Sequence, residues 1–182
     1  MIIILDNSAK LKPATARRLK EDISRRVTPV NVRVASHHIE VSVVGGVDLS
    51  SLIDYLESTV GKVLLVTTSR SMVTSRDEAL ERYAGFVLEE RFWEAHEVLE
   101  GVWRTSRNEV ERSWLKMLIK VAALMAKVQE GGFDTAMEMA SRLGGALGSC
   151  VKEAVMSAWE GRYAGLKVLE CVGMEGYLRV SS

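Results

Sequence analysis

The chain has 182 residues, room for one large domain or two small ones, and its 47% apolar and 26% charged residues with only 2 Pro exclude a disordered or fibrous protein. Lys and Arg number 24 against 24 Asp and Glu, so no global charge surplus points to a polyanionic or polycationic partner. The apolar run at the N-terminus stops at Asp6, too short for a signal sequence. The most apolar helical stretch, Leu115 to Val128, carries Lys116, Lys120 and Lys127, so no membrane span and a cytoplasmic location are predicted. Cys150 and Cys171 make no disulfide framework and read as two reduced, buried apolar thiols. A single disulfide is expected only if the source is a hyperthermophile.

Composition changes near residue 70. Of 11 aromatic residues only Tyr55 precedes position 75, and the net charge is +3 over residues 1–75 and −3 over 76–182. The polar segment Thr67-Thr68-Ser69-Arg70-Ser71 reads as a short connector between two domains, 1–70 and 75–182, each expected to hold its own core.

The first half alternates strand and helix signals. Ile2–Leu5 is a continuous β-branched run, and Pro13 opens a helix over 13–26 with Ala16, Leu19, Ile23 and Val27 on one face. Val30, Val32 and Val34 alternate with Asn31 and Arg33, and Ile39, Val41 and Val43 alternate with Glu40 and Ser42. Both predict strands with one buried face, joined at Ser36-His37-His38. Asp48 caps a helix over 49–58, and Val63–Val66 closes the unit as a strand. This β-α-β-β-α-β order predicts a ferredoxin-like plait, a four-stranded antiparallel sheet with two helices on one face.

The second half reads as an all-α antiparallel bundle, which makes the fold class α+β. Ser75 to Glu78 and Ser106 to Glu109 fit capping boxes, opening helices that run on from 75 and over 109–129. A helix over 91–104 lies between them, with Phe92, His96, Leu99 and Trp103 on one stripe. The third helix is expected to bury Trp114, Leu118, Val121 or Ala122, and Met125, and to stop at Gly131-Gly132. Further helices are predicted over 134–147 and 149–159, with Gly144-Gly145 permitting close helix packing.

The densest chemistry lies on the helix over 91–104. His96 and Glu100 are four apart and share a face, and His96-Glu97-Val98-Leu99-Glu100 has the form H-E-x-x-E, a zinc-hydrolase H-E-x-x-H with its second His replaced. On the functional reading, His96, Glu97 and Glu100 are catalytic as an acid/base set, or His96 and Glu100 hold a divalent metal, with Trp93, Trp103 and Arg104 lining a ligand pocket. On the architectural reading, His96 and Glu100 form a helix-bridging pair whose hydrogen bonds are met locally, and the aromatic residues are core.

The segment from Arg91 to Arg104 resembles the signature helix of the domain-of-unknown-function family 309, of the form (aromatic)-x-E-A-H-E-x-L-E-x-x-W, and Trp114 to Val128 resembles a second family region. The resemblance covers about residues 76–160. It implies a small helical bundle with His96, Glu97, Glu100 and Trp103 at the signature positions, and no established reaction. It says nothing of residues 1–70, whose fusion departs from the short family members.

A second candidate is the basic run from Lys10 to Arg26. Arg17, Arg18 and Arg25 there would meet nucleic acid or another anion, although a solvated helix face is the commoner origin of such a run. The strands over 2–5 and 39–43 lack the aromatic residues on which RNA-binding plaits stack bases. Gly45-Gly46 and Gly144-Gly145 match no phosphate-binding loop, and no Ser-based triad is credible. Two functions remain. One is a metal-binding, small-molecule-binding or hydrolytic bundle centred on His96 and Glu100. The other is a non-enzymatic interaction or regulatory module in which the plait mediates self-association, as a homo-oligomer, or nucleic-acid contact.

Overall fold

The computed structural model describes residues 1–27, 30–44, 46–68 and 75–180. Ser69, Arg70 and Ser71 of the connector and Gly45 of the Gly45-Gly46 pair lie outside the described residues. Strands β1 (Ile2–Asp6), β2 (Val30–Val34), β3 (His38–Val43) and β4 (Val63–Thr67) form one antiparallel sheet in the order β2-β3-β1-β4. Helix α1 (Ala16–Ser24), preceded by a 3-10 turn at Pro13–Thr15, and helix α2 (Leu49–Thr59) lie between the strands in sequence. The side chain of Asp48 caps α2 by accepting from Ser50 N and Ser51 N.

Helices follow: α3 (Arg76–Leu88), α4 (Phe92–Thr105), α5 (Glu109–Gln129), α6 (Phe133–Leu143), α7 (Gly145–Trp159) and α8 (Gly165–Val172), then a 3-10 segment at Glu175–Val180. Ser75 caps α3 as its sequence predicts. The start of α5 differs from the expected capping box. Asn108 is the cap, accepting from Val110 N and Glu111 N, and Ser106 instead ends α4 and bonds the Glu111 carboxylate. Trp114 is half-buried, whereas Leu118, Val121, Ala122 and Met125 are buried.

The break between the next two helices also moves. It falls at Gly144-Gly145, whose φ angles of 72° and 51° turn the chain between α6 and α7. A Cβ at either position would meet nothing within 4 Å, so close packing is not their role. That role falls to Gly148, where a Cβ would stand 2.8 Å from Ala140 O.

Two apolar clusters result. One face of the sheet places Ile3, Leu5, Val32, Val34, Ile39, Val41 and Val43 against Ala16 and Ile23 of α1 and Leu52 and Leu56 of α2. The second cluster lies among the helices around Tyr83, Phe92, Leu99, Leu118 and Val155. The remaining sheet face departs from the alternation read in the sequence, which predicts solvent beside Arg33 and Glu40. Both are buried, at 1% and 0% exposure, because α5 lies against β2 on that side.

The cysteines differ from expectation as well. Neither is fully buried, and Cys150 and Cys171 form a disulfide that ties α7 to α8 across 21 residues of sequence. Closing a loop of this length by a covalent bond stabilises a fold by about 3 kcal/mol. Melting the protein with and without a reducing agent should therefore show a transition several degrees lower when reduced, and Cys171→Ser should reproduce the reduced curve.

Candidate functional site

Helix α4 divides its side chains among three surroundings. Phe92, Ala95 and Leu99 point into the bundle core and are fully buried. Glu94 is buried too, held by Arg91 through Nε and Nη2, both at 2.7 Å, with the Arg91 guanidinium 4.8 Å from the Phe86 ring centroid. Glu97 and Arg104 are exposed.

His96 lies on the flank. Its ring stacks on Trp93 with centroids 5.1 Å apart and planes 14° from parallel. Its Nε2 is 4.0 Å from Glu100 Oε1, too far for a hydrogen bond, and Glu100 accepts instead from Arg104 Nη2 at 2.8 Å. His96 Nδ1 is buried with no hydrogen-bond partner among the described residues. Trp103 sits under the Arg112 guanidinium at 5.4 Å, ten residues and about 15 Å of helix from Trp93. The structure thus brings Trp93, His96, Glu100 and Arg104 into a chain of neighbours, with Trp103 apart. Among the described residues, no group of three or more His, Cys, Asp or Glu side chains is placed to hold a metal ion.

Arg17 and Arg18 are exposed on α1 and Arg25 is exposed at its C-terminal cap, 3.8 Å from Asp22. Arg17 also lines a cleft of about 320 Å³ with Lys20, Lys127 and Glu130.

The best-developed polar cluster lies where the sheet meets the helices. Arg33 stands opposite Glu40 across β2 and β3 and donates from Nη1 to Glu40 Oε2 at 3.2 Å and to Ser42 Oγ at 3.1 Å. Its guanidinium lies 4.8 Å from the Trp93 ring centroid, so Trp93 is shared by the sheet and by His96. Arg33 Nε is within ion-pair distance of Glu130 Oε1, at 3.4 Å, but without the alignment of a hydrogen bond. Glu130 in turn accepts from Asn31 Nδ2 at 3.2 Å and from Lys127 Nζ at 2.6 Å. His38 Nε2 meets Glu40 Oε1 at 3.4 Å. Burial alone would raise the Glu40 carboxyl, but the His38 hydrogen bond and the Arg33 charge outweigh it and hold it below its ordinary value of 4.5.

Beside this network, Glu90 ties several segments together. Its Oε2 accepts from Ser36 N at 2.9 Å and from Ser36 Oγ, and its Oε1 accepts from Ala164 N at 2.7 Å. Its own carbonyl accepts from Gln129 Nε2 at 2.7 Å. The turn from α3 to α4, the β2–β3 turn, the end of α5 and the start of α8 therefore meet at one residue that is 3% exposed.

Arg33, Glu40, Ser36, Glu90 and Glu130 were not singled out in the sequence. A signal existed for the first two, since an Arg and a Glu at facing positions of a hairpin form a cross-strand pair. Glu90, within the charged turn Glu89-Glu90-Arg91, reads as solvated and carries no such signal.

Two outcomes follow. Glu90→Ala should lower stability by at least about 2 kcal/mol in chemical denaturation, since it leaves Ser36 N and Ala164 N buried without an acceptor. Glu40 has its folded value below its unfolded one, so its network contributes stability above about pH 4.5 and loses it as the pH falls through the folded value. Glu40→Gln should accordingly flatten the acid side of a stability–pH curve.

No curated protein and no solved structure matches the chain. The N-terminal half matches no family model, and residues 80–139, from within α3 to within α6, match the family described as Domain of unknown function (DUF309).

Proposed function

We propose that this chain is a non-enzymatic interaction or regulatory module in which the α4 motif is structural. The observation that carries this reading is Trp93, whose ring is shared by Arg33 of the sheet and His96 of the helix. His96 and Glu100 are spaced beyond hydrogen-bond reach, and Glu100 is already engaged by Arg104. Aromatic and cation–aromatic contacts of this kind contribute on the order of 1 kcal/mol each, enough to orient two packed units.

In this reading the sheet and its two helices are a ferredoxin-like plait, supported by the strand order β2-β3-β1-β4 with every pair antiparallel. Residues 1–70 and 75–182 are its two units, supported by their separate apolar clusters. The plait makes the outward contacts, to nucleic acid or to a second copy. The exposed Arg17, Arg18 and Arg25 support weak, salt-sensitive contact with a phosphate backbone. Among the described residues no helix is long and apolar enough to cross a membrane. The cytoplasmic location read from the sequence belongs to this proposal, with the Cys150–Cys171 disulfide as the hyperthermophile exception.

A second reading keeps chemistry at His96 and Glu100, with or without a divalent metal. The observation in its favour is His96 Nδ1, a buried nitrogen with no partner among the described residues. His96→Ala separates the two. The module reading expects a loss of about 1–2 kcal/mol in stability, from the Trp93 stack, and no bound metal in elemental analysis of the parent protein. An unchanged melting temperature together with loss of a bound ion would establish the second reading instead.

A further inference from the structure

A cleft of about 360 Å³ opens where the sheet meets the helices, away from the His96–Glu100 pair. Its apolar wall is Ile4 and Leu65 from the sheet and Leu88 from α3. Its polar groups come from both sides, and most are committed. Tyr163 Oη donates to Leu88 O at 3.0 Å, Arg91 is held by Glu94 and Glu89, and Glu90 by Ser36 and Ala164.

His38 is different. It lines the cleft with its side chain 10% exposed, and its ring is oriented by the buried Glu40. Glu40 is held as a carboxylate by Arg33 and can only accept, so the proton of a neutral His38 sits on Nε2. Nδ1 is left as an acceptor, and no described residue donates to it. The charges around the cleft are Asp6, Glu40, Glu89, Glu90 and Glu94 against Arg33 and Arg91, with His37 at the exposed rim. That balance disfavours an anionic ligand. The volume lies at the small end of the range for small-molecule sites.

We propose that this cleft binds a small neutral molecule with an apolar body and a hydroxyl group that donates to His38 Nδ1. The apolar body rests on Ile4, Leu65 and Leu88, and the buried Arg33–Glu40 pair fixes the imidazole that recognises the hydroxyl.

Phenol is a suitable probe, with anisole as the same ring without a donor and benzoate as the anionic counterpart. The chain has three His residues, so the ring signals in NMR spectra of the full chain give a direct readout with His96 as the internal control. Phenol should shift the His38 signals saturably and leave those of His96 in place, while anisole and benzoate bind at least tenfold more weakly. His37 also lines the cleft and should shift with His38, so His38→Gln should abolish the saturable shift at His37. Leu65→Glu, an exposed position on β4, should weaken phenol at least tenfold with an unchanged melting temperature, and it carries the test if His38→Gln does not fold. The proposal is overturned if phenol produces no saturable shift, if anisole binds as tightly, if His96 moves in parallel with His38, or if Leu65→Glu binds phenol unchanged.

Discussion

Glu90 holds the two parts of the molecule in register, and it does so from a strained backbone. Its φ is 56°, in the left-handed region that a residue just past a helix end adopts. The neighbouring bonds are those of a Schellman turn, with Arg91 N donating to Phe86 O at 2.8 Å and Glu90 N to Val87 O at 3.0 Å. Glycine is the usual occupant because a side chain there costs about 1 kcal/mol or more. Glycine would offer no acceptor to Ser36 or Ala164, however. Those two donors lie on either side of the 80–139 segment that matches the family, so the segment is clamped by chain from both ends.

The buried polar face of the sheet extends the same constraint. Removing an Arg and a Glu from water costs several kcal/mol per charge, and apolar residues of similar volume often serve stability as well or better. What an ion pair supplies that an apolar patch lacks is direction. Arg33 is fixed within the sheet by Glu40 and Ser42 and reaches across it to the face of Trp93 and to ion-pair distance of Glu130, which also accepts from Asn31, so sliding the sheet along the helices would break these crossing contacts together. The lowered Glu40 carboxyl indicates that these attractions outweigh the burial they accompany.

Much of the backbone was legible in the residues. Strand alternation, the Asp48 and Ser75 caps and the limits of the helix over 109–129 all correspond to local chemistry, and local chemistry is what a sequence displays. The errors arise where the deciding partner is distant. Period-two alternation marks which side chains share a face but not what covers that face, so Arg33 and Glu40 read as exposed. Asn108 displaced Ser106 as a cap because Ser106 was needed to end the preceding helix. Cys150 and Cys171 are paired by the way α8 folds back on α7, which their spacing cannot show. Of the candidate site, the Trp93–His96 neighbourhood was readable from helical spacing, but Arg33, which joins it from another element, was not.

The signature helix can therefore be understood as a component with two addresses. Leu99 and Phe92 face the bundle, and Glu94 with Arg91 fixes the turn that presents Glu90. Trp93 faces the other way, toward the sheet. Without the sheet, Trp93 would lose Arg33 and Glu90 would lose Ser36, while Glu90 would keep Ala164. The cleft is therefore a property of the joined molecule rather than of either half, because Ile4, His38 and Leu65 reach it from the sheet and Leu88, Arg91 and Tyr163 from the helical part.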